Sequence, residues 1–295
     1  MFRNIRYYRF DDHWPDSEAA LSEKLEEAGF EPCGPLTERS SGWVPVNTDA
    51  GESLARRLNG ADLVKLRSQS RILPPAAINE ALEQRIDDFR ERMQEEPGTR
   101  QKRRLKAEIR DELLPKAMLK SDKIWGYIDI RDKVIGIDTV QEGVAERFLR
   151  RLRAGFGDLS VRPLLFREPV GDLLTKIFLG NAPKQFALGR ECKMLDAVDP
   201  GSVVRWTEFD LSDKSIRNHV IGGMHLNQLA IIYDNVLSCV LDENGCLRKL
   251  RFLGMDDDGG DEDDPLTRFD AEFALTAGTL RMLLGDLKKL LGGYG

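Results

Sequence analysis

The chain has 295 residues, with 50 acidic and 44 basic side chains and 41% apolar residues. That length accommodates one large domain or two to three smaller ones with a substantial core, and a charged fraction of 32% predicts much solvated surface. No run approaches the roughly 18 apolar residues that a membrane span needs, and the charged, aromatic N-terminal stretch lacks a signal-peptide core, so a cytoplasmic protein with no membrane partner is expected.

Residues 2–10 alternate and are rich in aromatics, which predicts a strand. Asp16–Ser17 caps a helix whose apolar positions Ala20, Leu21, Leu25 and Ala28 follow helical spacing, ended by Gly29. Short strands and turns follow over 30–46, then a strand over 61–68 before the break at Pro74–Pro75. Ile78, Leu82, Ile86, Phe89 and Met93 form one helix face; Pro97–Gly98 interrupts it, and Leu105, Ile109 and Leu113 resume the period up to Pro115. Residues 76–122 thus read as a helical hairpin set into a β-rich region. A β-hairpin around Arg131–Asp132–Lys133 fills 124–138, a helix 141–154, a strand 160–166 and a helix 170–180. Ala28-Gly29-Phe30 and Ala154-Gly155-Phe156 each end a helix before a strand, a loose internal echo. Strands and turns around a short helix near 212–221 occupy 185–253, with Asp242-Glu243-Asn244-Gly245 as a hairpin turn, and an amphipathic helix over 273–291 closes the chain. The fold class is α+β, with mixed, largely antiparallel sheets.

The formal net charge of −6 conceals an uneven distribution. Seven acids and no base lie between Met255 and Asp264, so the rest of the chain carries a formal +1. That decade lacks the residue order of a calcium loop and reads as a solvated connection. Nine bases against four acids lie between Arg100 and Lys123, and Arg147, Arg150, Arg151 and Arg153 cluster on one helix. Local field, not net charge, decides whether a polyanion is attracted.

Local catalytic motifs are missing. Gly29 to Gly34 has the spacing of a phosphate-binding loop, but Pro35 stands where a lysine is needed, and neither a dinucleotide fingerprint nor a nucleophile elbow occurs. The cysteines Cys33, Cys192, Cys239 and Cys246 and the histidines His13, His219 and His225 have no zinc or disulfide spacing. No enzyme activity, metal or cofactor is expected. The positive signal is basic: Arg103, Lys106 and Arg110 recur at helical phase, with Lys102 beside them and Lys116, Lys120 and Lys123 beyond. Such a row can meet successive phosphates without reading bases. It can equally be a solvated face paired with Glu108, Asp111 and Glu112.

Six motifs in order resemble the bacterial recombination-associated RdgC family across essentially the whole chain. They are Phe30-Glu-Pro-Cys-Gly34, Gly42-Trp-Val-Pro45, Ile72-Leu-Pro74, Leu113-Leu-Pro115 with Ala117, Leu247-Arg-Lys-Leu-Arg-Phe252, and Phe269-Asp-Ala-Glu-Phe273 before a leucine-rich helix. The resemblance implies a horseshoe-shaped subunit of a ring-shaped homodimer that encircles DNA. It implies binding of double- and single-stranded DNA without sequence preference, antagonism of a RecA-type recombinase, and association with the nucleoid. On that reading 1–75 and 124–180 form a β-rich central region, 76–123 a helical projection, 181–246 a tip region, and 247–295 a C-terminal strand, acidic loop and helix. Lys102, Lys106 and Lys116 fall where relatives carry bases and are expected to line the hole, with Arg103 and Arg110 added on helical phase. Met118 falls where a relative places Phe in a helical dimer contact. At Arg205-Trp-Thr-Glu-Phe-Asp210 this chain departs from relatives with lysines there, which weakens the DNA contact the resemblance implies for that stretch; Trp206 and Phe209 are expected to pack rather than stack on bases. Two other readings stay open: an interaction module for recombination or replication proteins, and a nucleic-acid-processing enzyme.

Overall fold

A computed structural model describes residues 1–47, 51–196, 198–199, 201–254 and 264–295. The acidic run from Met255 to Asp263 lies outside the described residues. In chain order come β1 (Arg6–Phe10), α1 (Glu18–Glu26), β2 (Arg39–Val44), β3 (Ala55–Leu58), β4 (Ala61–Ile72), α2 (Pro75–Met93) and α3 (Thr99–Leu113). Next are β5 (Met118–Asp129), β6 (Val134–Ile137), α4 (Glu142–Phe156), β7 (Val161–Pro163), α5 (Val170–Phe178), β8 (Phe186–Asp196) and β9 (Val203–Thr207). Then follow α6 (Lys214–Ile221), β10 (Met224–Tyr233), β11 (Leu237–Asp242), β12 (Leu247–Phe252) and α7 (Pro265–Leu290). The chain forms two compact units: one of Met1–Glu27, Pro45–Lys65 and Ile124–Gly295, the other of Ala28–Val44 and Leu66–Lys123. β4 and β5 each begin in one unit and finish in the other. The α+β class with antiparallel sheets is what the sequence predicts.

The larger unit holds two sheets. In the first, β1 lies between β6 and β7, antiparallel to both, with Tyr8 opposite Ile135 and Pro163. β3 and β4 form a hairpin from Ala55↔Val64 to Leu58↔Ala61. Its two-residue turn, Asn59–Gly60, has positive φ at both positions, the geometry that Asn-Gly supplies at least cost. β5 and β6 form the other hairpin expected from sequence, and Lys133 takes the left-handed position in its turn. The second sheet has the order β12-β11-β10-β8-β9, all antiparallel. Alternation along β10 sends Leu229, Ile231 and Tyr233 into a core shared with Leu174, Ile177 and Phe178 of α5 and Phe273, Leu280 and Leu287 of α7. Between α1 and α4 the backbones nearly touch: a Cβ on Gly155 would lie 2.2 Å from the Lys24 carbonyl oxygen. Only glycine permits that approach.

Several boundaries differ from the sequence expectation. α1 stops at Glu26, before Gly29, with the chain still right-handed at Glu27. α7 starts eight residues earlier than its apolar period, at Pro265, because the Asp264 carboxylate accepts from Thr267 N and proline suits the first turn. β7 is confined to Val161–Pro163. None of the described helices is long and apolar enough to cross a membrane.

The smaller unit carries β2, Leu66–Ile72 of β4, Met118–Lys123 of β5, and the hairpin of α2 and α3. Gln94 ends α2 in the left-handed conformation, and Gly98 N donates to Gln101 Oε1 at 2.8 Å to start α3. The two helices and the turn after them enclose little apolar surface, with Ile78, Ile109 and Leu114 as their buried side chains. The expected helical character of 116–122 is corrected here. Pro115 cannot continue an α-helix, so Leu114–Lys116 tightens into one 3₁₀ turn, closed by Ala117 N donating to Leu114 O at 3.2 Å. From Met118 the chain is extended.

Candidate nucleic-acid interface

Arg103, Lys106 and Arg110 project from α3 within an arc of about 60°, and all three are exposed. Helical phase sets the buried Ile109 about 120° from Arg103, about 100° from Arg110 and about 60° from Lys106, so Arg103 is turned furthest from the hydrophobic contact. The heads differ in what they meet. Arg110 forms an ion pair with Glu38, Lys106 Nζ donates to Asn79 Oδ1 at 3.4 Å, and Lys102 Nζ stands 3.9 Å from Glu96 Oε2. Arg103 and Lys116, both exposed, meet no carboxylate among the described residues. Of the acids proposed to neutralise the row, Glu108 is taken by Arg104 at 2.9 Å and Glu112 by Arg85 at 2.8 Å, both on other sides of the helix. Exposed pairs of this kind are worth about 0–1 kcal/mol and are screened by salt, so a phosphate can replace any of them.

One residue that sequence reasoning missed fixes where the row ends. The Arg71 guanidinium, from β4, donates to Leu114 O at 3.1 Å, Pro115 O at 3.2 Å and Ala117 O at 3.2 Å, and reaches Gly34 O at 3.1 Å. It satisfies the carbonyls released where α3 terminates and so positions Lys116 at the helix end. Nothing in the spacing of bases distinguishes Arg71 from its neighbours, and only the fold brings it to that turn.

Met118 opens a strand and is 78% exposed; Leu119 and Ile72, in the same unit, are 45% and 47% exposed. Elsewhere, Arg147 and Arg150 of α4 are exposed, whereas Arg153 lies 3.8 Å from Glu146. At Arg205–Asp210, Trp206 packs against Phe209 (ring centroids 5.3 Å apart) and His219 (6.2 Å), as expected of structural aromatics. The four cysteines are free and buried, with burial raising Cys192 and Cys246 to about 11 and Cys239 to about 12. Among the described residues no group of three or more His, Cys, Asp or Glu is placed to hold a metal ion.

Comparison with known proteins decides the family. A family model described as "Putative exonuclease, RdgC" matches residues 1–294. The chain belongs to the RdgC family. Among curated RdgC relatives, the recombination-associated protein of Stenotrophomonas maltophilia is 31% identical over 288 residues, covering 96% of this chain and 95% of its own length. Those of Edwardsiella ictaluri and Halorhodospira halophila are each 30% identical, covering 99% of this chain and 98% of their own. RdgC similarity thus extends through both compact units.

Proposed function

We propose that this RdgC-family chain is a non-enzymatic DNA-binding protein that acts as a homodimer encircling its ligand. In this reading it binds single and double strands without sequence preference and restrains a RecA-type recombinase by occupying DNA. The observation that carries the proposal is the outward row Arg103, Lys106 and Arg110 on α3, continued by Lys116. A row at this spacing can meet successive phosphates, its ion pairs are exposed and weak, and it presents no base-reading motif. The relatives' name, recombination-associated protein, supports a DNA context. Exposed Met118, Leu119 and Ile72 offer apolar area for a second copy.

The test is DNA affinity against salt. Arg103→Ala, Lys106→Ala and Arg110→Ala combined are expected to reduce the slope of log affinity on log salt by about 2–3. The loss should be equal for unrelated sequences. An unchanged slope would remove α3 from the interface. The family description carries the word exonuclease, so labelled duplex incubated with magnesium is the companion assay: intact DNA is expected, and progressive shortening would overturn the non-enzymatic reading.

A further inference from the structure

The five-stranded sheet of the larger unit has a second face. Leu229, Ile231 and Tyr233 turn to the core with α5 and α7, so Gln228, Ala230 and Ile232 point the other way. On that face Lys193 lies opposite Arg205 on one side and Gln228 on the other, and Val240 lies between Ala230 and Arg248. Its charged groups are Lys193, Arg205, Arg248, Lys249 and Arg251, which lies opposite Ser238, against Glu191 and Asp242. Asp242 is occupied by Arg248 at 3.1 Å. Glu191, with its side chain 12% exposed, takes Arg205 at 2.7 Å through one oxygen and Lys249 at 2.5 Å through the other. The two cations are more than half exposed, and they come from β9 and β12, the opposite edges of the sheet. Lys249 sits where β12 bulges against β11, at φ 53°, an uncommon conformation for a residue with a Cβ.

We propose that this face binds a strand of nucleic acid through its phosphates, and that Glu191 holds the place of a phosphate until a strand displaces it. The inference rests on the DNA-binding reading and adds a surface separate from α3, with an internal competitor built into it. A carboxylate presents two oxygens to cations much as a phosphate does. It keeps Arg205 and Lys249 gathered on this face, where an incoming anion would meet them. Burial acts to raise the Glu191 carboxyl, but hydrogen bonds from Arg205 and Lys249 outweigh it and hold the group below its ordinary range, so the competitor is charged at neutral pH.

Glu191→Gln keeps the shape and removes the charge. Measured by anisotropy on labelled single strand and duplex, it is expected to bind about threefold or more tighter, with a salt slope steeper by about one to two. The gain should vanish when Arg205→Ala and Lys249→Ala are added. Unchanged or weaker binding at an unchanged slope overturns the proposal, as does a gain that survives without Arg205 and Lys249. Should Glu191→Gln fail to fold, Lys193→Ala, which touches no carboxylate among the described residues, is expected to lower the wild-type slope by about one; no change overturns it. A wild-type chain that binds no DNA would instead refute the underlying reading, whereas wild-type binding indifferent to Glu191 and Lys193 refutes this surface alone.

Discussion

Asp62 is fully enclosed and both its oxygens are occupied: Arg57 Nε and Nη2 donate to them at 2.6 and 2.7 Å, and the Trp14 indole donates at 2.6 Å. Removing one member of such a pair leaves the other with a desolvation cost and no compensation. Asp62→Asn is therefore expected to destabilise the larger unit by about 3 kcal/mol, read by urea unfolding with tryptophan fluorescence; a loss well under 1 kcal/mol would mean that Arg57 finds water instead. The sequence marks Asp62 as one acid among many in a β-rich stretch. Its role depends on Trp14 arriving from 48 positions away, and no local pattern encodes that.

At the scale of elements, α3 shows both what a sequence discloses and what it withholds. Leu105, Ile109 and Leu113 announce a helix, and Ile109 is indeed the residue it buries. The phase of that apolar row then fixes the phase of Arg103, Lys106 and Arg110, so the basic face was legible. Its neighbours were not: Glu38 reaches Arg110 from outside the helix, and Arg71 caps the end. Arg71→Ala should unfasten three carbonyls at once. We expect a loss of about 2–3 kcal/mol in the smaller unit, with amide exchange accelerated over 110–117 and unchanged across β8–β12. Uniform acceleration would show that the turn has no local autonomy. Met118 illustrates the limit of pattern. Two apolar residues after a proline fit a helix start as well as a strand start, and the strand emerges only because Met118–Lys123 leads directly into the buried part of β5.

At the scale of the whole molecule, net charge is a poor guide to partners. The chain is formally −6, yet its bases gather on α3, on α4 and on one face of a sheet, and field at these places governs encounter with a polyanion. Association between copies is a separate question with its own measurement. Met118→Asp places a charge in the exposed apolar group proposed as a contact, and sedimentation velocity at low concentration is expected to shift toward the monomer; an unaltered profile would move the contact elsewhere. A final consequence follows from the route of the backbone. It crosses between the two units four times, twice in the middle of a continuous strand. Neither unit is a cassette: no contiguous stretch of the chain contains one whole unit and nothing of the other, and a cut at either boundary inside β4 or β5 severs a strand that both units share.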